Sequence, residues 1–222
     1  MAIESAVFKD IPNIIHGFGT RMDPVPSKFL KVWVEKKPHW SQVHGTNIPV
    51  ITKPSEQLGE CDGMFTQSLN PISVISADCC PILMARTDGK AVAAIHAGWR
   101  GTRAKIVEKF ANDLKARGDD PKNWVAAVGP AIGGCCYEVG EDLIEKFKTE
   151  FSYYEPENMI PSFRKLDLPN LNAAELERVG FSKVDLLDYC TYCDMDLRGP
   201  KFYSYRREGQ GVRQWSVIQI VR

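Results

Sequence analysis

The chain has 222 residues, of which 28 are basic, 28 are acidic and 44% are apolar. This apolar content is enough to bury an ordinary core as one domain or at most two small ones, and since nothing forces a split we expect one domain over residues 1–222. The balanced charge argues against the basic surface with which proteins bind nucleic acid. No apolar run approaches the roughly 20 residues that span a bilayer, and no basic leader precedes an apolar stretch. We therefore expect a cytoplasmic protein that binds a small molecule, with no membrane partner.

Three strands are predicted near the centre of the chain, over Ile72–Ala77, Ile82–Arg86 and Ala91–Ala97. The sequence Asp88-Gly89 between the second and third strands is typical of a tight hairpin turn. Cys79 follows the first strand, and His96 lies at the end of the third. The hairpin is therefore expected to bring Cys79 and His96 close together.

An amphipathic helix is predicted after this hairpin. Thr102 is suited to cap its N-terminus, and Gly118 is suited to end it about four turns later. Its apolar face consists of Ile106, Val107, Phe110 and Leu114. Apolar residues at this spacing indicate a helix with one face turned toward the core.

The rest of the chain is predicted to alternate between strands, turns and helices. The expected order is a strand over Trp124–Val128, a tight turn over Gly129–Gly134, a helix containing Leu143, Ile144, Phe147 and Phe151, a surface loop over Ser152–Arg164, a helix over Asn170–Val179, and a hairpin of Phe202–Arg206 with Gln214–Val221. Strands joined by hairpins and interspersed with helices favour a mixed α+β fold over an all-parallel sheet.

Two histidines and one cysteine are the strongest candidates for a functional site. His44, Cys79 and His96 each lie beside a glycine- or proline-bearing turn. Two imidazoles and a thiolate suit Zn²⁺, and three protein ligands leave a fourth tetrahedral position for water or substrate. Taken singly, each of these residues is more often structural. Copper with a weak ligand such as Met64 or Met84 is the alternative. The chain has only four histidines, too few for a multicopper cluster, so zinc is favoured.

The seven cysteines include two adjacent pairs and are expected to be mostly reduced thiols. Cys190 and Cys193 have the C-x-x-C spacing of a redox motif or a zinc knuckle. No second pair at matching spacing accompanies them in the sequence. They are therefore interpreted as two separate thiols.

Two arginines are candidates for holding an anionic group, because a planar guanidinium with five donors suits an anion better than lysine does. Arg100 follows His96 closely, and its alternative role is to cover the base of a helix. Arg206 and Arg207 follow a predicted strand, whose alternation turns them to opposite faces. At most one of these two is therefore expected to face the site.

Five motifs in the same order resemble the YfiH family. They are Gln42-Val43-His44-Gly45, Ala77-Asp78-Cys79, His96-Ala97-Gly98-Trp99-Arg100-Gly101, Gly129-Pro130-Ala131-Ile132-Gly133 with Cys136-Tyr137-Glu138-Val139-Gly140, and Ser204-Tyr205-Arg206-Arg207 with Gly211 and Arg213-Gln214. The similarity runs from about His16 to the C-terminus. It departs after Arg21, where Met22-Asp23-Pro24-Val25-Pro26-Ser27 replaces the family's Gly-Gly-Val-Ser.

The resemblance implies a single layered α/β/β/α sandwich-like domain, similar to cysteine hydrolases of the cytotoxic-necrotizing-factor type. The family is variously described as laccase-domain, polyphenol oxidase or purine nucleoside phosphorylase proteins, with a peptidoglycan-editing branch. It implies Zn²⁺ held by His44, Cys79 and His96. It also implies phosphorolysis of adenosine, inosine, guanosine and S-methyl-5'-thioadenosine, and deamination of adenosine.

The implied chemistry assigns expected roles to particular residues. A bound Zn²⁺ lowers the pKa of its water toward about 7, and Asp78 is a candidate proton donor beside the three ligands. Phosphorolysis needs an oriented inorganic phosphate, for which Arg100 and Arg206 are the candidates. Further substrate-binding candidates are Gln42, Tyr137 and Arg21.

Two other classes of function remain open. Cys79 with a histidine base is the dyad of a cysteine hydrolase, which would suit a peptidoglycan-editing factor in cell-wall synthesis. A copper polyphenol oxidase is the second alternative.

Overall fold

A computed structural model describes residues 1–222 as a mixed α+β fold with four β-sheets. The strands are β1 (Ile14–Phe18), β2 (His39–Ser41), β3 (Val50–Ile51), β4 (Gln57–Glu60), β5 (Gly63–Thr66), β6 (Ile72–Ser76), β7 (Cys80–Arg86), β8 (Val92–Ala97), β9 (Trp124–Val128), β10 (Lys183–Leu186), β11 (Met195–Asp196), β12 (Gly199–Pro200) and β13 (Gln214–Ile220). The α-helices are α1 (Leu30–Lys36), α2 (Trp99–Arg103), α3 (Ile106–Ala116), α4 (Glu141–Glu150), α5 (Leu168–Arg178) and α6 (Tyr205–Glu208).

The largest sheet has six strands in the order β10-β9-β7-β8-β5-β3. Only its two outer pairs, β10–β9 and β5–β3, are parallel. A second sheet is antiparallel and has the order β1-β13-β6. Two small sheets are formed by β2 with β4 and by β11 with β12. The expectation of a mixed fold rather than an all-parallel sheet is confirmed.

Apolar side chains cover both faces of the six-stranded sheet. One face packs against α3, α4 and α5 through 28 buried residues that include Phe110 and Phe147. The other face packs against the three-stranded sheet through 16 buried residues that include Leu83 and Ile218. Trp33 of α1 lies on the outer side of the three-stranded sheet. Each fully buried Leu or Phe side chain stabilises the fold by about 1.5–3 kcal/mol.

The central hairpin confirms the sequence prediction. Strands β7 and β8 pair antiparallel, with Pro81 opposite His96 one position before the end of the ladder. The turn contains Gly89 at a φ of 72°, a conformation that glycine adopts without steric cost. A Cβ atom there would also lie 2.1 Å from the carbonyl oxygen of Pro12. The hairpin register therefore fixes the distance between His96 and the loop that precedes β7.

The helix predicted from Thr102 onward is two helices instead. Gly98 is the N-cap of α2, so Thr102 lies inside α2 and its side chain pairs with Asn172. The chain then turns at Lys105, which has a left-handed φ of 59°. The Lys105 ammonium lies 3.2 Å from the Phe151 ring centroid and donates to the carbonyl oxygen of Glu150. Contacts with Glu150 and Phe151 thus stabilise the break between α2 and α3. The spacing of apolar residues in the sequence does not show this break.

The hairpin predicted for the C-terminal part is wrong. Residues Tyr205–Glu208 form α6, because the Ser204 hydroxyl accepts a hydrogen bond from the Arg207 amide and caps the helix. Gln214 begins β13, which pairs with β1 and β6 rather than with the preceding segment.

The other predicted elements have close counterparts. Strand β9 has the predicted bounds, and α4 and α5 differ from prediction by a residue or two. The segment 152–164 is irregular apart from one 3₁₀ turn over Pro156–Asn158. None of the helices is both long enough and apolar enough to cross a membrane.

Candidate metal centre and cleft

Two loops and the end of one strand bring the predicted metal ligands together. His44 lies in the loop after β2, Cys79 lies between β6 and β7, and His96 lies near the end of β8. One ligand atom from each residue lies within 4.8 Å of the other two. The His44 and His96 ring centroids are 5.0 Å apart. His96 is buried, Cys79 is half-buried and His44 is exposed, so the group opens to one side.

Two residues near this group have left-handed backbone conformations, and a glycine beside it leaves room for the ligand side chains. His44 and Asp78 have positive φ values of 62° and 99°, which are costly for residues other than glycine and occur preferentially at functional sites. Gly98 follows β8 directly. A Cβ atom on Gly98 would lie 2.8 Å from the Cys79 sulfur and 3.1 Å from Cδ2 of His44. Only glycine therefore leaves the space that the ligands need.

Asp62 organises two of the three ligand segments, and sequence reasoning missed it. Its fully buried carboxylate accepts hydrogen bonds from the amides of Val43, His44 and Gly45, at 3.2, 2.9 and 2.6 Å. It also pairs with Nδ1 of His96 at 2.9 Å. A carboxylate on Nδ1 leaves Nε2 of His96 as the free ligand atom. The only sequence signal is an aspartate at the start of an apolar strand.

The charges of the group favour a thiolate. Burial would raise the pKa of Cys79, but the neighbouring His96 and His44 rings lower it to about 6. Burial would likewise lower the pKa of His96, but Cys79 and Asp62 raise it to about 9. Burial would raise the pKa of Asp62, whereas His96 and the loop amides hold it below its usual value. Cys79 is therefore in the form that binds metals and acts as a nucleophile.

This donor set fits Zn²⁺. Tetrahedral bonds of about 2.0–2.3 Å would place the ligand atoms about 3.3–3.8 Å apart, and the three ligand atoms here lie within 4.8 Å of one another. The Asp62–His96 pair is the carboxylate–histidine arrangement that usually supports a bound zinc. Met64 and Met84, the candidate copper ligands, are fully buried and neither lines the cleft.

The three ligands lie in the wall of a cleft of about 830 Å³, a size suited to a small molecule. Three arginines, Arg100, Arg206 and Arg213, line this cleft, and Asp78 is the one acidic residue among its lining residues. The cleft is therefore positively charged, although the whole chain is neutral. Arg213 was part of a motif in the sequence but was not singled out as a site residue.

Among the residues lining the cleft, Arg100 is exposed and lies 4.4 Å from the Trp99 ring centroid. Arg206 lies 5.4 Å from the Tyr137 ring centroid and donates to the carbonyl oxygen of Glu138. Burial raises the pKa of Tyr137 to about 12, with a further contribution from Cys79. The Tyr137 hydroxyl is therefore protonated at neutral pH.

Asp78 lies in the cleft, but its carboxylate already accepts two hydrogen bonds. One oxygen accepts from the Thr191 hydroxyl at 2.6 Å, and the other accepts from the Arg206 amide at 2.7 Å. The Asp78 carbonyl also accepts from the amide of Ile132. Asp78 thus joins three segments around the cleft, and its role as a proton donor stays a prediction.

Gln42 also lines the cleft, and its amide group is occupied. Its Nε2 donates to the Ile75 carbonyl and its Oε1 accepts from the Ile75 amide, both at 2.7 Å. The Trp40 indole donates to the same oxygen at 3.3 Å. Gln42 therefore fixes the His44 loop to β6 instead of presenting a free amide to a substrate.

Arg21 is the one substrate-binding candidate that lies outside the cleft lining. Its guanidinium pairs with Glu208 and lies 4.6 Å from the Tyr203 ring centroid. The Arg21 guanidinium is therefore paired with Glu208, a residue of α6.

Ser76 is a further cleft residue that the sequence did not reveal. Its hydroxyl is buried and has no hydrogen-bond partner in the protein. Buried polar groups without a partner are rare in folded proteins. The Ser76 hydroxyl is therefore a candidate contact for a bound molecule.

Comparison with known proteins now identifies the family. Residues 28–221 match the family described as multi-copper polyphenol oxidoreductase laccase. A Haemophilus influenzae protein named purine nucleoside phosphorylase is 32% identical over 221 residues, covering 97% of this chain and 82% of its own length. Purine nucleoside phosphorylase YfiH of Escherichia coli K12 is 31% identical, covering 89% of this chain and 76% of its own length. This chain belongs to the YfiH family.

Solved structures show the same fold. YfiH of Bacillus licheniformis superposes with a TM-score of 0.80 at 23% identity, covering 93% of this chain and 92% of that one. YlmD of Geobacillus stearothermophilus also has a TM-score of 0.80 at 23% identity, covering 100% and 99%. The resemblance stated from the five motifs is thus confirmed, and YfiH-family members share this α+β architecture.

Proposed function

We propose that this YfiH-family chain is a zinc-dependent purine nucleoside phosphorylase, formed as one catalytic domain over residues 1–222. The observation that carries the proposal is the convergence of His44, Cys79 and His96 in a cleft lined by three arginines. The relatives named purine nucleoside phosphorylase support the reaction class. The proposed substrates are adenosine, inosine, guanosine and S-methyl-5'-thioadenosine, together with inorganic phosphate.

The cleft offers separate surfaces for the two substrates. Phosphate is an anion that guanidinium groups bind through paired hydrogen bonds, so Arg100, Arg206 and Arg213 are its proposed contacts. The nucleoside has a flat apolar base, for which the aromatic side chains of Trp99 and Tyr137 line the cleft. Holding both substrates in one orientation would lower the barrier to phosphorolysis, because the entropy of bringing them together is lost on binding rather than in the reaction step.

Two groups are suited to assist departure of the purine. The protonated Tyr137 hydroxyl is a hydrogen-bond donor for a purine nitrogen, which would stabilise the negative charge that develops on the leaving base. A zinc ion held by His44, Cys79 and His96 would supply Lewis-acid chemistry in the same cleft. Adenosine deamination is the second proposed activity, and it also needs a proton for the departing amine.

The test is chromatography of adenosine and inosine incubations with and without phosphate. Phosphate-dependent release of adenine or hypoxanthine reports phosphorolysis, and conversion of adenosine to inosine without phosphate reports deamination. The Cys79→Ala variant should lose the zinc of the His44–Cys79–His96 centre together with the activity, whereas Cys61→Ala, at a buried thiol outside the cleft, should retain both. Zinc-free protein with full activity would refute the zinc assignment.

A cysteine hydrolase or peptidoglycan-editing factor is the second candidate. The observation in its favour is the lowered pKa of Cys79, whose neighbouring His96 and His44 could serve as a base without any metal. The cysteine hydrolase and the zinc-dependent phosphorylase differ in how added zinc should change the activity. Added zinc would inhibit a thiolate nucleophile, because the metal occupies the sulfur, but it would restore activity to a chelator-treated phosphorylase.

The copper polyphenol oxidase remains the least supported alternative, although it matches the family description. Met64 and Met84, the two methionines considered as the weak axial ligand of a His₂Cys copper site, are buried and do not line the cleft. The cytoplasmic location, the α/β/β/α description and the likeness to cysteine hydrolases stay predictions.

A further inference from the structure

A second group of side chains that could hold a metal ion is separate from His44, Cys79 and His96. Cys135, Cys136, Cys190 and Cys193 form a four-cysteine cluster in which all the sulfur atoms lie within 4.8 Å of one another. None of the four lines the cleft. Cys190 and Cys193 are free thiols, as predicted, but the sequence analysis did not find the second cysteine pair that lies beside them. The partner pair is adjacent in sequence, at Cys135 and Cys136, rather than spaced as C-x-x-C.

The fold brings these two segments together through backbone pairing. Ala131 and Cys190 form a parallel bridge, and the Thr191 amide donates to the Ala131 carbonyl at 2.9 Å. After Ala131 the chain turns tightly, and the amides of Cys136 and Tyr137 both donate to the Gly133 carbonyl. This turn directs Cys135 and Cys136 toward the 190–193 turn.

The sulfur spacing matches a tetrahedral metal site better than a disulfide. Bonds of about 2.3 Å from one zinc to four sulfurs place neighbouring sulfurs about 3.8 Å apart. The Sγ atoms of Cys135 and Cys193 are 3.8 Å apart, whereas a disulfide bond is about 2.05 Å long. A disulfide would also use only two of the four clustered thiols.

The surroundings of Cys190 resemble those of a zinc-bound thiolate. The Gly133 amide donates to the Cys190 sulfur at 3.4 Å. The amides of Tyr192 and Cys193 also face this sulfur. The Arg207 guanidinium donates to the carbonyls of Thr191 and Tyr192, which places a positive charge beside the turn. Donors and a cation near the sulfurs would offset the negative charge of four thiolates.

We propose that the four-cysteine cluster binds one Zn²⁺ as a closed structural site, separate from the His44–Cys79–His96 centre. Four thiolates fill the tetrahedral coordination sphere and leave no position for substrate. Binding releases the thiol protons to solvent and changes no oxidation state. The proposal is independent of the proposed phosphorylase activity.

The site would hold one wall of the cleft in place. The turn that carries Cys135 and Cys136 leads directly to Tyr137, and Ile132 lies just before it. The 190–193 turn carries Thr191, which donates to Asp78. A zinc ion that joins the two turns therefore fixes the segments against which Arg206 and Tyr137 lie.

The first test is the zinc content of full-length protein purified under reducing conditions without chelator. We expect about two zinc ions per chain. The Cys135→Ser/Cys193→Ser variant should retain about one, and Cys79→Ala should lose the other. Cys61→Ala is the matched control, because it removes a thiol outside both groups and should keep two. A single zinc in the wild-type protein that survives in Cys135→Ser/Cys193→Ser would overturn the proposal.

The second test needs no variant and so does not depend on folding of a mutant. Metal-depleted wild-type protein is titrated with Co²⁺, whose visible absorption distinguishes a four-thiolate site from a His₂Cys site. Alkylation read by mass spectrometry then follows each cysteine. Zinc should protect the exposed thiols of Cys135 and Cys193, and a chelator should restore their reactivity. The proposed zinc site would be contradicted if Cys135 and Cys193 remained reactive in zinc-loaded protein. It would also be contradicted by a disulfide between them in protein purified under reducing conditions.

Discussion

A single carboxylate, that of Asp62, connects the His44 loop to the His96 ring. It accepts from three consecutive loop amides and pairs with Nδ1 of His96. Replacing it with asparagine keeps the size but removes the charge that selects the His96 tautomer. We expect Asp62→Asn to lower zinc affinity by about 10–100-fold, the usual effect of losing a partner of a metal ligand. Competition with a chromogenic chelator measures this affinity.

Asp113→Asn is the matched control for Asp62→Asn. Asp113 is an exposed aspartate on α3 and lies outside the cleft. The zinc affinity of the Asp113→Asn variant should equal that of the wild type. Equal affinities for both variants would show that Asp62 does not orient the ligand.

Cys79 should show its altered pKa in the metal-free protein. A pKa of about 6 means that the thiolate predominates above this pH and is lost as the pH falls through it. The alkylation rate of Cys79 should therefore reach half its maximum near pH 6, compared with about 8.5 for an ordinary thiol. Peptide mass spectrometry after a pulse of alkylating reagent gives the rate at each pH.

The variant His96→Gln tests the cause of this shift. It removes the ring that, with His44, lowers the pKa, so the midpoint of Cys79 alkylation should move up toward the ordinary value. A midpoint near 8.5 in the wild type would contradict the ion-pair interpretation of the His96–Cys79 contact.

At the level of elements, α6 gives adjacent arginines different tasks. Arg206 faces the cleft, whereas Arg207 donates to the carbonyls of Phe202, Thr191 and Tyr192. We expect Arg206→Gln to lower kcat/KM for phosphate by about 10–100-fold, the loss of one charged hydrogen bond, with little change in Tm. Phosphate-dependence assays and thermal denaturation measure the two effects.

Arg207→Gln is the paired comparison on the same helix. It should lower the free energy of unfolding by about 1–3 kcal/mol, because it leaves the carbonyls around Thr191 with fewer donors. Its KM for phosphate should change less than that of Arg206→Gln. If the two variants exchange these effects, the assignment of faces is wrong.

The elements that were predicted correctly depend on local chemistry. Asp88-Gly89 signals the β7–β8 hairpin, and that hairpin is enough to place Cys79 near His96. The break at Lys105 was missed because its left-handed conformation is held by Phe151 and Glu150, which are distant in sequence. Of Arg206 and Arg207, only Arg206 lines the cleft, in keeping with the expectation that at most one of them does. The two side chains point in different directions because they lie on a helix, not on the predicted strand.

The site was predictable where residue type alone defines the chemistry. Two histidines and a cysteine suit a metal in any fold that brings them together. Asp62 was not predictable, because a buried carboxylate is recognised by the amides around it. Likewise, Cys135 and Cys190 are 55 positions apart in the sequence, and only the bridge at Ala131 reveals that they are neighbours.

For the whole molecule, the packing between the two larger sheets should determine stability. Leu83 lies on the central strand β7 and is fully buried between the six-stranded and three-stranded sheets. We expect Leu83→Ala to lower the free energy of unfolding by about 2–5 kcal/mol, through lost burial and an added cavity. Urea denaturation followed by circular dichroism measures the change.

Leu197→Ala makes the same chemical change at a fully exposed position. Its free energy of unfolding should remain within about 0.5 kcal/mol of the wild type. A loss for Leu197→Ala as large as that for Leu83→Ala would show that the sheet interface is not the main source of stability.

The contact between Gln42 and Ile75 has a consequence for solubility. Strand β6 is the outer strand of its sheet, and open strand edges are where separate polypeptides join and aggregate. The Gln42 side chain occupies the donor and acceptor of Ile75, as the backbone of an added strand would. One glutamine therefore satisfies the outward-facing backbone groups of Ile75 and removes them from pairing with a strand of another molecule.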